Sequence, residues 1–279
     1  MVEKKGKGSF LISIFFFLLS LAWVYPIFMV FVNSFKKKAY INRTPFALPT
    51  EKTFVGFQNY AEGFRKTHLL EAFGVSVWIT VASVLVILIC TSMCAWYISR
   101  VQSTATKGMY MLCLFAMVVP FQMVMYPLSK ITDMLSLGNP VGIVFVYLGF
   151  GAGLAVFMFT GFMKNIPIEV EEAAMIDGCT PVGTFFRVVF PMLKPTLISV
   201  AILETMWIWN DYLLPVLVLD QKKWRTIPMA VQYLKGGYGS IDWGAMMAML
   251  VVAIIPIIIF YMACQKYIIK GVAAGAVKG

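Results

Sequence analysis

A polar segment, Lys164–Pro195, separates two long apolar runs and has the sequence KNIPIEVEEAAMIDGCTPVGTFFRVVFPMLKP. Pro167 can occupy the first position of a helix, where its missing N–H costs nothing. Gly178 can end that helix in a left-handed conformation. Thr180 as cap and Pro181 as first residue then begin a second helix. The segment therefore predicts a helix–glycine–helix hairpin outside the bilayer.

The surface of this hairpin has two interpretations. Ala173 and Ala174 are small, and small side chains allow another protein to approach closely. The alternative is an ordinary hairpin that lies at the membrane interface. In either case Pro191 and Pro195 are expected to end the second helix before the next apolar run.

Six apolar runs on the two sides of the hairpin are long enough to cross a bilayer, since about 20 helical residues span a hydrocarbon core of roughly 30 Å. The runs are Phe10–Val32, Val75–Ile98, Gly108–Leu128, Val141–Met163, Thr196–Leu219 and Gly244–Cys264. We predict an all-α polytopic membrane protein with six transmembrane helices in residues 10–264. Residues 1–9 precede this domain, and a tail, residues 265–279, follows it.

Composition agrees with this architecture. Apolar residues make up 60% of the 279 residues and charged residues 13%, with a mean hydropathy of +0.83. A soluble globule could not cover so much apolar surface, and a disordered chain would have more charge and fewer aromatic residues. Phe10–Val32 exceeds the apolar core of a signal peptide, so we expect a retained anchor.

Several kinds of chemistry lack the residues that they need. His68 is the only histidine, and the five cysteines have no spacing typical of a metal site. Hydrolytic triads and a glycine-rich phosphate loop are also missing. We therefore predict no catalytic residue, no metal and no cofactor in this chain. The net charge of +10 suits anionic lipid headgroups and does not require nucleic acid.

Charge alone does not fix the orientation. With the N-terminus inside, 11 of the 23 basic residues fall in inside segments and 12 in outside segments. The positive-inside rule therefore makes no choice here.

The hairpin carries the first resemblance to a known family. Residues 172–178, EAAMIDG, are followed after nine residues by VVFP, residues 188–191. This arrangement resembles the EAA signature (EAA-x2-DG-x9-I-x-L-P) of binding-protein-dependent ABC importer permeases. Val188, Phe190 and Cys179 are apolar exchanges for the usual Ile, Leu and Ala. Further stretches resemble the MalG-type subunit of carbohydrate importers: FQNY at 57–60, VPFQ at 119–122, WNDYLLP at 209–215 and the tail KYIIKGVAAGAVKG at 266–279.

The resemblance implies a type I ABC importer permease whose hairpin is a cytoplasmic coupling helix. The residues implied to contact an ATPase subunit are Glu172, Ala173, Ala174, Asp177, Gly178 and Pro191. The implied partners are a second, MalF-type permease, two copies of a cytoplasmic ABC ATPase that bind ATP and Mg²⁺, an extracytoplasmic sugar-binding protein, a sugar and membrane lipid.

The same resemblance implies an orientation and roles for two further segments. The protein would lie in the cell (inner) membrane of a bacterium or archaeon, with both termini cytoplasmic. The tail would reach between the ATPases. The loop Asp220–Trp243 would contact the binding protein outside.

The fifth run contains a polar stripe. Glu204, Trp207 and Asp211 fall at i, i+3 and i+7 on one helical face, with Asn210 beside them. A carboxylate in hydrocarbon should face a partner or a water-filled path. One interpretation is a wall of the sugar pathway, and the other is a structural network between helices. Gln122, in the third run, is a weaker candidate for the pathway.

Other functions remain as alternatives. The same machinery could carry a sugar-related solute such as a glycerophosphate. A secondary transporter would need no soluble partner and no external coupling hairpin. A membrane-embedded enzyme would need a clustered catalytic set.

Overall fold

The computed structural model of the protein describes residues 7–236 and 241–276. Residues 1–6 of the predicted N-terminal segment and 277–279 of the predicted tail lie outside this range. The α-helices in the described part are α1 Lys7–Asn33, α2 Lys38–Arg43, α3 Gln58–Thr67, α4 Leu69–Arg100, α5 Thr104–Val118, α6 Phe121–Met134, α7 Gly142–Met163, α8 Ile168–Ile176, α9 Pro181–Thr184, α10 Phe190–Met192, α11 Lys194–Asn210, α12 Leu213–Val218, α13 Ile227–Gln232 and α14 Trp243–Ala276. A π-helical segment, Phe185–Val189, joins α9 to α10.

Four stretches of helix in the described part are long and apolar enough to cross a membrane: Phe10–Asn33, Leu69–Arg100, Gly142–Met163 and Trp243–Tyr267. Two bent pairs raise the number to six if each pair is one span. The four unbroken helices overlap the first, second, fourth and sixth predicted runs. Helix α14 continues beyond Cys264 into the predicted tail as far as Ala276.

The third predicted run is not one continuous helix. Helix α5 ends at Val118 and α6 begins at Phe121, with an angle of 108° between them. Val119 and Pro120 both have extended backbone conformations. Proline disfavours the helical conformation of the residue before it and has no N–H to continue the helix. The third predicted run is therefore a bent pair of helices, with the break at Val119 and Pro120.

The fifth predicted run is also interrupted. Helix α11 ends at Asn210, and Asp211 is extended with ψ of 130°. The Oδ1 atom of Asp211 accepts hydrogen bonds from the backbone N–H groups of Leu213, at 3.0 Å, and Leu214, at 3.4 Å. A short acidic side chain that binds nearby backbone donors competes with the helix. Asp211 thus ends α11 and begins the short helix α12, instead of lying within a single span.

The described residues form two compact units, 7–70 with 230–236 and 241–256, and 71–229 with 257–276. The core of the second unit is built around α7. Every fourth residue of this helix is buried, which places them in one stripe: Ile143, Tyr147, Gly151, Ala155, Phe159 and Met163. A Cβ at Gly151 would lie 2.8 Å from Ile87 Cδ1 of α4 and 3.0 Å from Glu204 Oε2 of α11. Only glycine lets these three helices approach so closely.

The first unit contains a polar cluster after α1. The side-chain amide of Asn59 donates to the carbonyls of Ser34, at 2.7 Å, and Lys36, at 2.9 Å. Burial lowers the pKa of Lys36, whose ammonium group donates to the Thr44 carbonyl at 2.9 Å. These bonds satisfy backbone and side-chain groups that would otherwise be buried without partners.

An ion pair joins α3 to the start of α14 within the same unit. Lys66 Nζ lies 2.6 Å from Asp242 Oδ2. The hydrogen bond to Asp242 raises the pKa of Lys66. Burial opposes ionisation of Asp242, but the hydrogen bonds from Lys66 and the Ala245 amide and the charges of Lys66 and Lys38 together lower its pKa.

Candidate functional site

The first helix of the hairpin ends as the sequence predicts. Gly178 has φ of +89°, a left-handed conformation that glycine adopts without steric cost. The N–H of Gly178 donates to the Met175 carbonyl, and the N–H of Cys179 to the Ala174 carbonyl, each at 3.0 Å. This pair of bonds is a Schellman motif. The start of this helix differs by one position from the prediction. Pro167 is the cap residue, and α8 begins at Ile168.

The second helix of the hairpin begins at the predicted residues. The Thr180 hydroxyl accepts a hydrogen bond from the Gly183 N–H at 3.1 Å, and Pro181 is the first helical residue. The π-helical segment before Pro191 widens the turn, which relieves the clash of a proline ring with the preceding turn. The helix ends at Met192, and the chain bends by 78° into α11. The expectation that Pro191 and Pro195 end the helix was wrong, because Pro191 lies in the first turn of α10 and Pro195 in the first turn of α11.

Five of the six predicted ATPase contacts are exposed on the surface of this hairpin. Glu172, Ala173, Asp177, Gly178 and Pro191 are exposed, whereas Ala174 is buried. Apolar side chains surround them on the same surface: Met175, Ile176 and Val182 are exposed, and Ile176 reaches 86%. We call the surface formed by residues 172, 173, 175–178 and 182 the hairpin tip. It combines small, acidic and apolar groups, a composition suited to contact with another protein.

Sequence reasoning missed the residue that attaches the hairpin to the rest of its unit. Glu171 is only 3% exposed, and its Oε1 accepts hydrogen bonds from Arg100 Nη2 at 2.7 Å and Arg100 Nε at 2.9 Å. Its Oε2 accepts from Trp96 Nε1 at 2.9 Å. Arg100 Nη2 also donates to the Ile166 carbonyl at 2.9 Å. Because the Arg100 side chain is 20% exposed, removing one partner should cost less than the about 3–5 kcal/mol typical of a fully buried pair.

No sequence pattern could have revealed this pair, because 71 residues separate its members. The available signals were a lone arginine at the end of the second apolar run and an acidic residue beside the EAA sequence. Spacing relates residues on one helix, but it does not relate two helices that meet only in the folded chain.

The predicted polar stripe divides between two environments. Glu204 is 2% exposed and packs beside Gly151 and Ile87. Its Oε2 has no hydrogen-bond partner within residues 7–236 and 241–276. In the isolated chain Glu204 therefore lies inside the helix bundle of its unit, not at an open path.

Asp211 has partners in its own unit. The Tyr147 hydroxyl donates to Asp211 Oδ2 at 3.1 Å, and the Tyr147 ring packs edge-on against Trp207 with centroids 5.4 Å apart. Sequence reasoning did not identify Tyr147, since its buried position in α7 is typical of any core aromatic residue. The Tyr147 side chain of α7 thus contacts both Asp211 and Trp207.

The other members of the stripe are accessible. Trp207 is 40% exposed, and Asn210 is exposed with its amide bonded to the Met206 carbonyl at 2.7 Å. Gln122 is exposed in the first turn of α6 and shares no hydrogen bond with the described residues of α11. Trp207 and Asn210 are thus the stripe residues that another molecule could contact.

Comparison with known proteins identifies the family. A family model described as "Binding-protein-dependent transport system inner membrane component" matches residues 88–274. The chain belongs to this family. This transport-system permease is a multi-pass membrane protein, and the predicted ABC importer permease class is confirmed.

Full-length relatives belong to sugar transport systems. The permease is 39% identical over 277 residues, 99% of its length and 100% of the relative, to the probable starch degradation products transport system permease protein AmyC of Thermoanaerobacterium thermosulfurigenes. It is 36% identical over 91% of each chain to the multiple sugar-binding transport system permease protein MsmG of Streptococcus mutans. It is 30% identical over 96% of its length and 95% of the relative to the arabinooligosaccharides transport system permease protein AraQ of Bacillus subtilis.

A solved structure shares the fold. A chain of a bacterial ABC transporter involved in the import of the acidic polysaccharide alginate superposes with a TM-score of 0.78. The match covers 96% of the permease and 98% of that chain at 21% identity. The predicted type I importer fold is therefore confirmed, including its all-α character.

Proposed function

We propose that this permease forms half of the transmembrane path of an ATP-driven, binding-protein-dependent importer of di- or oligosaccharides. The observation that carries the proposal is the end-to-end similarity to AmyC, at 39% identity over 99% of the chain. AmyC, MsmG and AraQ are all named for the transport of sugars or sugar oligomers.

The proposed partner of the hairpin tip is a cytoplasmic ABC ATPase. Covering an exposed apolar side chain such as Ile176 stabilises the complex with the partner by about 25 cal/mol for each Å² of apolar surface removed from water. Glu172 and Asp177 add negative charge that can pair with basic groups of the partner. Because the hairpin is cytoplasmic in this proposal, the N-terminus and the tail are cytoplasmic as well.

The remaining partners complete a transport cycle. A second, MalF-type permease supplies the other half of the path, and each permease docks on one of two ATPase copies, which bind ATP and Mg²⁺. A sugar-binding protein docks outside, where the loop Asp220–Trp243 contacts it. Closure of the ATPases moves the hairpins and switches the path between outward-facing and inward-facing states.

Within the path, Trp207 and Asn210 are the proposed sugar contacts of this permease. An aromatic face stacks on the C–H surface of a sugar, and an amide exchanges hydrogen bonds with its hydroxyl groups. Glu204 and Asp211 support the helix that presents them.

Substrate competition tests the proposed substrate class. The permease is reconstituted with its second permease, ATPase and binding protein, and uptake of a labelled malto-oligosaccharide is measured with unlabelled competitors. We expect di- and oligosaccharides to compete, whereas glycerol phosphate and inorganic phosphate do not. Competition by glycerol phosphate alone would refute the carbohydrate assignment.

A further inference from the structure

One turn of α4 contacts both helices of the hairpin. Arg100 binds Glu171 of α8 through two nitrogen atoms and binds the Ile166 carbonyl just before that helix. Trp96, four residues earlier on the same face of α4, donates to Glu171. The Trp96 ring also packs against Phe185 in the π-helical segment, with centroids 5.4 Å apart.

These contacts fix the position and the angle of the hairpin relative to α4. Both carboxylate oxygens of Glu171 are held, Oε1 by two nitrogen atoms of Arg100 and Oε2 by Trp96, which restricts the orientation of the carboxylate as well as its distance. The Glu171 carboxylate is buried, so separating it from Arg100 would leave a charge without compensation. Phe185 is fully buried under Trp96. The hairpin and the end of α4 are therefore expected to move together.

Helix α4 extends this attachment into the core of its unit. It is continuous from Leu69 to Arg100, and Ile87, midway along it, lies against Gly151 at the contact with Glu204 of α11. A displacement at Arg100 reaches this contact because a helix and a close-packed core respond as rigid elements.

We propose that Trp96, Arg100 and Glu171 form a rigid joint that transmits movement of the hairpin into α4. The inference rests on the proposed function, since it requires that an ATPase moves the hairpin. The three side chains are positioning residues: they carry movement, and they contact neither the sugar nor the nucleotide.

The test separates transmission from stability by measuring how much sugar is transported per ATP hydrolysed. Three variants weaken the joint to different degrees in the reconstituted complete importer. Glu171→Gln removes the charge, and Trp96→Phe removes one N–H donor and keeps a ring on Phe185. Arg100→Lys keeps the charge but has a single nitrogen in place of the two that contact Glu171 Oε1. Glu169→Gln, at an exposed position of the same helix, is the matched control.

We expect all four complexes to retain their ATPase. In Glu171→Gln the sugar transported per ATP should fall at least about fivefold, the lower end of typical coupling between sites. Trp96→Phe and Arg100→Lys should reduce the ratio less, and Glu169→Gln should leave it unchanged. Exchanging the charges, with Arg100→Glu and Glu171→Arg together, should recover part of the ratio that either single change loses.

An unchanged ratio in all three joint variants would overturn the proposal. If Glu171→Gln does not assemble, the milder Trp96→Phe and Arg100→Lys decide by the same ratio. A further variant, Gly178→Asp, distinguishes failure of the proposed joint from failure of the proposed function. Normal ATPase binding and uptake in Gly178→Asp would refute docking through the hairpin tip. If Gly178→Asp loses ATPase binding and uptake while Glu171→Gln transports a normal amount of sugar per ATP, only the joint is refuted.

Discussion

Gly178 combines a left-handed backbone with free space around it. Its φ is +89°, and a Cβ there would meet no atom within 4 Å. Any effect of a side chain on the isolated chain must therefore come from the backbone, at a cost of about 1 kcal/mol. Any larger effect on the importer must come from a partner that covers the hairpin tip.

The first prediction uses three substitutions at this position. Gly178→Asn should be the mildest, because asparagine tolerates the left-handed conformation. Gly178→Ala should lower the stability of the hairpin by about 1 kcal/mol. Gly178→Asp should abolish uptake and release the ATPase from the membrane, while the transmembrane helices stay inserted. The measurements are membrane-bound ATPase and sugar uptake in parallel, and retention of both in Gly178→Asp would contradict the prediction.

A second prediction concerns the close contact at Gly151. Gly151→Ala places a methyl group 2.8 Å from Ile87 Cδ1 and 3.0 Å from Glu204 Oε2, and such overpacking typically costs about 1–3 kcal/mol. Gly149→Ala, two residues earlier in α7 and open to space, is the control and should be neutral or stabilising, because alanine favours the helix. Thermal inactivation of the solubilised importer compares the two. Equal half-lives would show that Glu204 and Ile87 move aside freely.

The third prediction is a pH dependence of the Lys66–Asp242 pair. The pKa of Asp242 is lowered in the folded chain. Its contribution to the free energy of unfolding is therefore present above the ordinary carboxyl pKa and is lost as pH falls through the lowered value. The raised pKa of Lys66 keeps its contribution intact at neutral pH, and that contribution is lost only as pH rises through the raised value. Asp242→Asn should cost about 0.2–1 kcal/mol at pH 7, as expected for a partly exposed pair.

The check compares the free energy of unfolding of the unsubstituted permease with that of Asp242→Asn. Both are measured in detergent at pH 7 and at a pH below the lowered pKa of Asp242. The difference between them should disappear at the lower pH. A difference that is the same at both pH values would assign the effect of the substitution to packing.

At the scale of helices, α11 presents two kinds of polar residue. Glu204 is buried against α7 and α4, whereas Trp207 and Asn210 are exposed. The fourth prediction follows from this division. Asn210→Ala should reduce uptake at unchanged stability. Trp207→Ala should reduce uptake and also cost about 0.5–1.5 kcal/mol of stability, because its ring packs against Tyr147. Glu204→Ala should mainly reduce the amount of assembled importer.

Uptake per assembled complex, with complex measured by co-purification of the ATPase, separates these effects. Normal uptake per complex in both Trp207→Ala and Asn210→Ala would remove them from the sugar path. A normal amount of assembled complex in Glu204→Ala would contradict its structural role.

The helical elements show which features a sequence can predict. Length and composition of the apolar runs were enough for α1, α4, α7 and α14, because a bilayer requires about 20 apolar residues. The break at Pro120 was not predictable in the same way, since Pro26, Pro127 and Pro256 all remain inside helices. Whether a proline bends or ends a helix depends on how neighbouring groups satisfy the freed backbone.

In the candidate site, too, the sequence predicts local conformations but not the contacts between distant helices. Gly178, Thr180 and Pro181 act through their immediate neighbours in the chain, so the local sequence predicted their conformations. The bonds of Glu171 to Arg100 and of Asp211 to Tyr147 join residues 71 and 64 positions apart. These pairings depend on the packing of whole helices, which spacing along one helix does not describe.

At the scale of the whole molecule, the proposed function requires that partner subunits bind and hydrolyse the ATP. The sequence has no glycine-rich phosphate loop, and the proposed energy source is an ATPase that docks on the hairpin tip. The protein should therefore hydrolyse no ATP and transport no sugar unless its partners are present. A secondary transporter would behave differently, because an ion gradient would drive uptake by the chain alone.

The most direct test is sugar uptake into proteoliposomes that contain this permease with its second permease, ATPase and binding protein. The fifth prediction is that uptake requires all four proteins and ATP, and that hydrolysis is absent when this permease is reconstituted alone. Glu172→Lys, which reverses a charge on the hairpin tip, should reduce uptake and ATPase binding together. Uptake by the single chain under an ion gradient without ATP would contradict the account.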